Sequence, residues 1–430
     1  MLTNSRPRTG AVSRGRRPRH KDISEAPTGR SAVIVPGYPG QPSGAELARQ
    51  AALGIRSRRN YVEVASALDA EIIDPSYMAE RASRAGRVVA NRAGILAGEL
   101  YEAYAARNRV RYICAWADRA GLPLALVYKL TWSRSDLTLV SQYLSSGKKA
   151  LFLRNLGVHS HLGAIVNFSS VQTEFAARQL RVPRGKLHHV VQGIDERFWH
   201  PVDVPIEDRI CSVGWEARDY GTLVKAVSGL PLRAHIAVGF QGLSASAMET
   251  DESGHSQLRP FESIAGKFTQ PLYQAWRAQV LRDGLPANVT IHNQLSQLLL
   301  RDQYSRSRFV VVPLHEADFD AGITTVNEAM AMGKAVIVTR TRGQVDLVRE
   351  GVQGLYVPPG DPRALRQAIE HLLQHPEEAA RMGRAGRELV ETRHTLDRYV
   401  ERVVRIVRES GDRRNGQATP TPSMMSAGEA

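Results

Sequence analysis

Apolar residues in this chain come in short unbroken runs rather than in alternation. Residues 309–313 and 335–339 are each about five residues long and rich in β-branched side chains, which suits strands buried on both faces of a parallel sheet. Between them, residues 324–332 are strong helix formers closed by Gly333, a C-terminal stop. Strand, loop, helix, strand predicts a compact parallel βαβ unit. Comparable runs predict strands at 31–35, 71–73, 111–116, 122–127, 150–153, 164–168, 190–191, 209–213, 236–240 and 288–292, with 62–68 a helix end or a further strand. Helical spacing predicts one or two exposed helices over 78–106, then helices over 364–373, 377–391 and 396–407. The pattern is that of an α/β chain.

Chemistry concentrates in the turn 318–325. Gly322 allows close backbone approach to a ligand. The amides of Ile323, Thr324 and Thr325 then open a helix whose unpaired N–H groups and positive end suit a phosphate or diphosphate. Glu328 follows Thr324 by one helical turn and can reach the same ligand, accepting from paired hydroxyls such as a ribose offers. An ordinary strand-to-helix turn with a solvated glutamate remains the alternative.

This stretch resembles the donor-binding core of retaining glycosyltransferases of family four, in the GT-B clan. Their pattern is an acidic residue, seven residues, Glu, then Ala-Met-Ala-x-Gly-x-Pro-Val-Ile. Here it stands as Asp320 followed by Glu328-Ala329-Met330-Ala331-Met332-Gly333-Lys334-Ala335-Val336-Ile337. The family's Thr-x-x-Gly-Gly-x-x-Glu is matched by 339–346, its Gly-x-x-Gly by 351–354, and its Pro-Gly-Asp by 359–361. Asp320 replaces the usual first Glu, Arg342 a Gly, and Asp346 a Glu. Asp318-Phe319-Asp320 also has the Asp-x-Asp spacing of cation-dependent transferases, but in the wrong surroundings for that other fold, so no metal is expected.

Elsewhere the resemblance is looser. Residues 36–47 form a glycine-rich loop opening a helix, with Ser43-Gly44-Ala45-Glu46 where the family has Gly-Gly-Ala-Glu, facing the cleft. Asp118 follows a strand at the carboxyl edge, where such sheets bind ligands, and either positions an acceptor hydroxyl or caps the next turn. Residues 190–201 resemble the family's interdomain linker. After Gly214 the family places an Arg, and before the next Gly a Lys. Trp215 and Tyr220 stand there instead, leaving Arg218 as the nearest cation for the diphosphate. His159 and His161, and the pair His188-His189, read as surface or structural residues.

The chain has 430 residues, enough for two domains, with 43% hydrophobic and 23% charged residues, as in globular proteins. No run approaches a membrane span, so a cytoplasmic location is expected. Cys114 and Cys211 lie in apolar runs and read as buried thiols, and no His spacing suggests zinc. The net charge is +14, and residues 1–30 hold eight Arg or Lys against Asp22 and Glu25. That excess suits an anionic nucleotide, a polyanionic acceptor or peripheral contact with a membrane surface. Nucleic acid is disfavoured, because no aromatic residues interleave the basic ones.

The resemblance implies a GT-B architecture: two Rossmann-like parallel-sheet domains facing a cleft, with the C-terminal helix crossing back to the first. Expected boundaries are a disordered basic tail over 1–30, an acceptor domain over 31–195, a nucleotide-sugar domain over 196–408 and a disordered tail over 409–430. It implies transfer of a sugar from a nucleoside diphosphate sugar to a small-molecule or glycan acceptor, with retention and without a cofactor. Asp320 would hold the donor sugar and Glu328 the ribose. Arg218, Gly214 and the amides of 322–325 would hold the diphosphate, and Ser43, Gly44 and Asp118 would face the substrates. An epimerase or inverting transferase on the same fold, or a non-catalytic nucleotide-sugar scaffold, are the alternatives.

Overall fold

The computed structural model describes residues 31–38, 41–133, 136–238, 284–293 and 295–414, together with short pieces between 248 and 282. The expected tail at 1–30, the part of the expected 409–430 tail beyond 414, and most of the segment 239–283, including most of its helix-like stretch 272–281, lie outside the described residues.

Two six-stranded parallel sheets form the frame. The first contains Ala32–Val35 (β1), Ala70–Ile72 (β2), Tyr112–Ala115 (β3), Leu137–Ser141 (β4), Ala164–Asn167 (β5) and Leu187–His189 (β6), in the order β2-β1-β3-β4-β5-β6. In the second half, Arg209–Val213 (β7) and Arg233–Val238 (β8) are followed by Met248–Thr250 (β9) and Ser256–Leu258 (β10), which pair only with each other. Val289–Asn293 (β11), Val310–Val312 (β12), Val336–Thr339 (β13) and Gly354–Val357 (β14) complete the second sheet, ordered β11-β8-β7-β12-β13-β14. β1, β3, β4, β5, β7, β12 and β13 are buried at every position, so the unbroken apolar runs do mark strands covered on both faces.

Several local expectations are corrected. Residues 122–127 are not a strand but part of the helix Asp118–Leu130. Ala120, Gly121, Leu122, Leu124, Ala125 and Tyr128 of that helix are buried, and with exposed Val127 also apolar the run looks as continuous as an inner strand. The strand in that region is β4. Residues 150–153 fall in a helical turn and a π-helical turn, Leu151–Asn155. The 78–106 region holds three helices, Pro75–Glu80, Arg84–Ala93 and Ile95–Ala106. The last two pack closely at Gly98 and Ala90, and Glu102 Oε1 accepts from Ser83 N at 3.0 Å, so neither helix is merely exposed. His188 and His189 lie within β6 rather than ahead of a strand.

The final helix runs to Arg414, past the expected end at 407. Leu396, Tyr399, Val403 and Val407 pack with Ile34, Tyr61, Val64 and Trp116 of the first domain, so the helix does cross back. Both cysteines are buried, which pushes Cys114 up to about 12 and Cys211 up to about 11. No helix among the described residues is long and apolar enough to cross a membrane.

Candidate functional site

In the second sheet the strand order reverses between β7 and β12, and ligands of such sheets bind beyond the carboxyl ends at that point. Gly214 follows β7 with φ +121, a backbone open essentially to glycine. Beyond it the chain turns through Ala217, at φ 54, and Arg218 bridges to Leu314 just past β12. Arg218 is buried. Its Nε donates to Val213 O at 2.9 Å, Nη1 to Glu216 O at 2.9 Å and Nη2 to Thr325 Oγ1 at 2.9 Å. A Cβ on Gly214 would lie 2.3 Å from Nη2, and one on Gly322 would lie 3.3 Å from Nη1. The guanidinium is thus clasped between the two glycines that precede the two candidate phosphate-binding turns. Of its five N–H groups, these bonds use three.

The helix Ile323–Ala331 starts at Gly322, φ 82, with no side chain capping it. The amides of Thr324 and Thr325 belong to its first turn and have no intrahelical acceptor. The Ile323 amide is already used, donating to Asp320 O at 3.1 Å, so this member of the expected amide set is corrected. Thr325 contributes its hydroxyl as well, which accepts from Arg218 and donates to Val213 O at 3.2 Å.

Glu328 is buried one turn along this helix. Its Oε2 accepts from the Tyr304 hydroxyl at 2.8 Å. Burial pushes its carboxyl up to about 7, opposed by that hydrogen bond and by Arg218. Asp320 is buried in the turn before the helix and is also raised to about 7, by burial first, with its own amide opposing and Glu216 and Asp346 adding to the rise. Among the described residues no donor meets Asp320 Oδ2. Two carboxyls poised near neutrality therefore flank one uncapped helix start.

The first domain is latched to this turn. Phe319 stacks on Tyr143 with ring centroids 4.9 Å apart, and Gln172 donates to Asp318 O at 2.5 Å while accepting from Leu144 N at 2.6 Å. Lys149 lies 3.7 Å from the centre of the Tyr143 ring. Its ammonium is bonded to Asp118 Oδ2 at 2.8 Å in a pair that is nearly closed to solvent. Asp118 thus anchors a lysine instead of capping a turn. Ser43 caps the helix Gly44–Ala52 through Glu46 N at 3.2 Å, and the Gly44 amide donates to Asp74 Oδ2 at 2.9 Å. Both groups are engaged within the first domain. His161 bonds its neighbour Ser160 at 2.9 Å, and His159 lies on the same short turn.

The departures from the family pattern have physical roles. Tyr220 donates to Gly214 O at 2.6 Å and packs on Trp276, bracing the glycine turn in place of a lysine. Arg342 pairs with Glu316 at the surface. Asp346 reaches the first domain, accepting from Ser170 N at 2.7 Å and Ser170 Oγ at 2.5 Å, with His189 3.7 Å away. Tyr304, Glu216, Tyr143, Lys149 and Gln172 are the residues that sequence reasoning missed. A concavity of about 460 Å³ lined by Pro201, Val204, Lys334 and Arg387 holds none of the expected site residues.

Residues 263–375 match the family model described as "Glycosyl transferases group 1". The match lies within the second half of the chain and covers less than half of its length. A sucrose synthase of Acidithiobacillus caldus is 32% identical over 97 residues, which are 22% of this chain and 12% of that one. Alpha-D-kanosaminyltransferase of Streptomyces kanamyceticus is 28% identical over 128 residues, 30% of this chain and 32% of the relative, so the likeness spans only a minor part of either relative. Solved structures match over nearly the full chain. Sucrose-phosphate synthase from Thermosynechococcus elongatus has TM-score 0.61 and 17% identity, covering 88% of this chain and 99% of that one. Anabaena HepE, solved in complex with UDP and glucose, has TM-score 0.60 and 14% identity, covering 88% and 100%. At such identities the likeness establishes the fold alone, the two-sheet GT-B architecture.

Proposed function

We propose that the protein moves a sugar from a nucleoside diphosphate sugar to an acceptor held against the first domain, with retention at the anomeric carbon and without a metal ion. The observation that carries this reading is the Arg218 guanidinium clasped by Gly214 and Gly322 beside the uncapped start of Ile323–Ala331. The diphosphate lies over the Thr324 and Thr325 amides and the two remaining N–H groups of Arg218. Glu328 accepts from the ribose hydroxyls, and Asp320 Oδ2 meets a hydroxyl of the donor sugar. The acceptor oxygen attacks the anomeric carbon on the face from which the diphosphate leaves. The bond to the diphosphate breaks, the acceptor–sugar bond forms, and the acceptor proton passes to the departing oxygen. Stabilising that leaving group is then the main catalytic contribution. HepE is described with UDP, which makes uridine diphosphate sugars the first donors to try.

The test is a thermal-shift screen against UDP, GDP, ADP, TDP and their sugar conjugates, with and without EDTA, followed by NMR of the product's anomeric proton. A shift that survives EDTA, is lost in Arg218→Ala and leads to a product of unchanged anomeric configuration supports the reading. An inverted product, or binding indifferent to Arg218→Ala, overturns it. Trp215 and Tyr220 at the family's cation positions favour a second reading, a nucleotide-sugar-binding scaffold, which predicts binding without turnover across acceptors.

A further inference from the structure

The helices Pro362–Gln374 and Pro376–Arg393 meet at a sharp break, where His375 has φ −121 and ψ 66 and Pro376 offers no N–H. Three side chains converge on that break. His371 and His375 lie one turn apart with ring centroids 4.4 Å apart, and Glu378 reaches back so that its Oε2 is 2.8 Å from His371 Nε2. One ligand atom from each of the three lies within 4.8 Å of the others. His375 Nδ1 is 2.8 Å from the His371 carbonyl oxygen. A carbonyl only accepts, so Nδ1 carries the proton and the lone pair of His375 rests on Nε2. A backbone carbonyl fixing the tautomer in this way is the usual support of a metal-binding imidazole.

We propose that His371, His375 and Glu378 form a divalent transition-metal site, suited best to zinc, that staples the two helices together. Two imidazoles and one carboxylate are a familiar zinc donor set, and half-exposure leaves room for water as the fourth ligand. With metal–ligand distances of about 2.0–2.2 Å, tetrahedral ligands stand roughly 3.3 Å apart, so the His371–Glu378 contact opens only slightly to admit the ion. The other carboxylate oxygen stays 3.7 Å from Arg381. The site is remote from the proposed chemistry. The helix Pro362–Gln374 begins after the carboxyl end of β14, and at about 1.5 Å per residue it sets His371 about 14 Å and its C-cap His375 about 20 Å from that start. Its role is therefore structural or regulatory, and it does not depend on the donor reading.

The test is equilibrium dialysis of the full chain against micromolar ZnCl2, with His375→Ala and Glu378→Gln alongside, and cobalt substitution as a spectroscopic readout. Expected are one high-affinity zinc per chain, a zinc-dependent rise in melting temperature, and tetrahedral cobalt absorption. Each variant should lose more than about tenfold in affinity, and both the melting shift and the cobalt bands. His375 is exposed, so its truncation leaves the fold intact. Wild type that binds no zinc, or a His375→Ala protein that binds zinc as tightly as wild type, overturns the proposal.

Discussion

Removing the Tyr304 hydroxyl tests the electrostatics of the donor site without disturbing its packing. Tyr304 is fully buried, with its ring edge-on to Trp199 at 5.8 Å, so Tyr304→Phe keeps the shape and deletes only the donor to Glu328. A hydrogen bond to an ionised acceptor contributes about 1.5–3 kcal/mol. At 1.36 kcal/mol per pH unit, losing it raises the Glu328 pKa by about one to two units, starting from about 7. In the proposed complex the ionised carboxylate accepts from both ribose hydroxyls, whereas the protonated one puts a donor where an acceptor is needed. Wild-type affinity should therefore rise with pH through about 7, and the variant should show the same rise about one to two units higher, converging with wild type at high pH. The assay is calorimetric titration with a nucleotide sugar, whose diphosphate does not itself titrate near neutrality, with Glu328→Gln as the flat control. An unmoved midpoint in Tyr304→Phe, or a pH dependence that survives in Glu328→Gln, would refute the reasoning.

Three further outcomes are expected. Gly214→Ala puts a Cβ against Arg218 Nη2 on a backbone at φ +121. It should cost about 1–3 kcal/mol in urea denaturation and weaken donor binding strongly by calorimetry, while undiminished binding would detach Arg218 from the diphosphate. Phe319→Ala removes the stack on Tyr143, about 0.5–1.5 kcal/mol, and should lower kcat/KM by about 2- to 12-fold, whereas Tyr143→Phe should not. Glu99 is buried and raised to about 7 by burial first and Asp74 second. A carboxyl raised on folding contributes stability present below its unfolded pKa, about 4.3, and lost as pH rises through the folded value. Glu99→Gln should therefore gain melting temperature over wild type at pH 8 but not at pH 4, and an equal gain at both pH values would contradict that account.

The frame was legible because strands covered on both faces leave a distinctive mark. β12 and β13 sit inside the two runs first singled out, and the helix between them starts one residue before the expected position. The same signal misled at 122–127, where Pro123 and a fully apolar stretch belong to a helix enclosed by the sheet and its neighbours. Val127 and Leu130 are apolar even though they are exposed, so the polar face that would mark the helical period is missing. At the site, the residue types near the turn were readable and their partners were not. Arg218 was visible as the nearest cation, but the two glycines that clasp it lie 4 residues before it and 104 after it, and only the fold joins them. Tyr304 precedes Glu328 by 24 residues on another helix, so no local spacing announces it. Asp118 was placed correctly at a strand's carboxyl edge, yet Lys149, which holds its Oδ2, lies 31 residues away, so that pairing had no local signal.

Asp346 belongs to the second domain but satisfies the first amide of the first-domain helix Ser170–Arg178, whose preceding residue Ser169 provides no side-chain cap. Separating the domains therefore uncaps a helix. Any parting of the two domains is coupled to fraying at Ser170, and its free energy includes the loss of a charge-assisted N-terminal bond. Hydrogen exchange at the Ser170 amide becomes a local clock for opening of the cleft. A bound ligand that holds the domains together should slow that one site even though it never touches it.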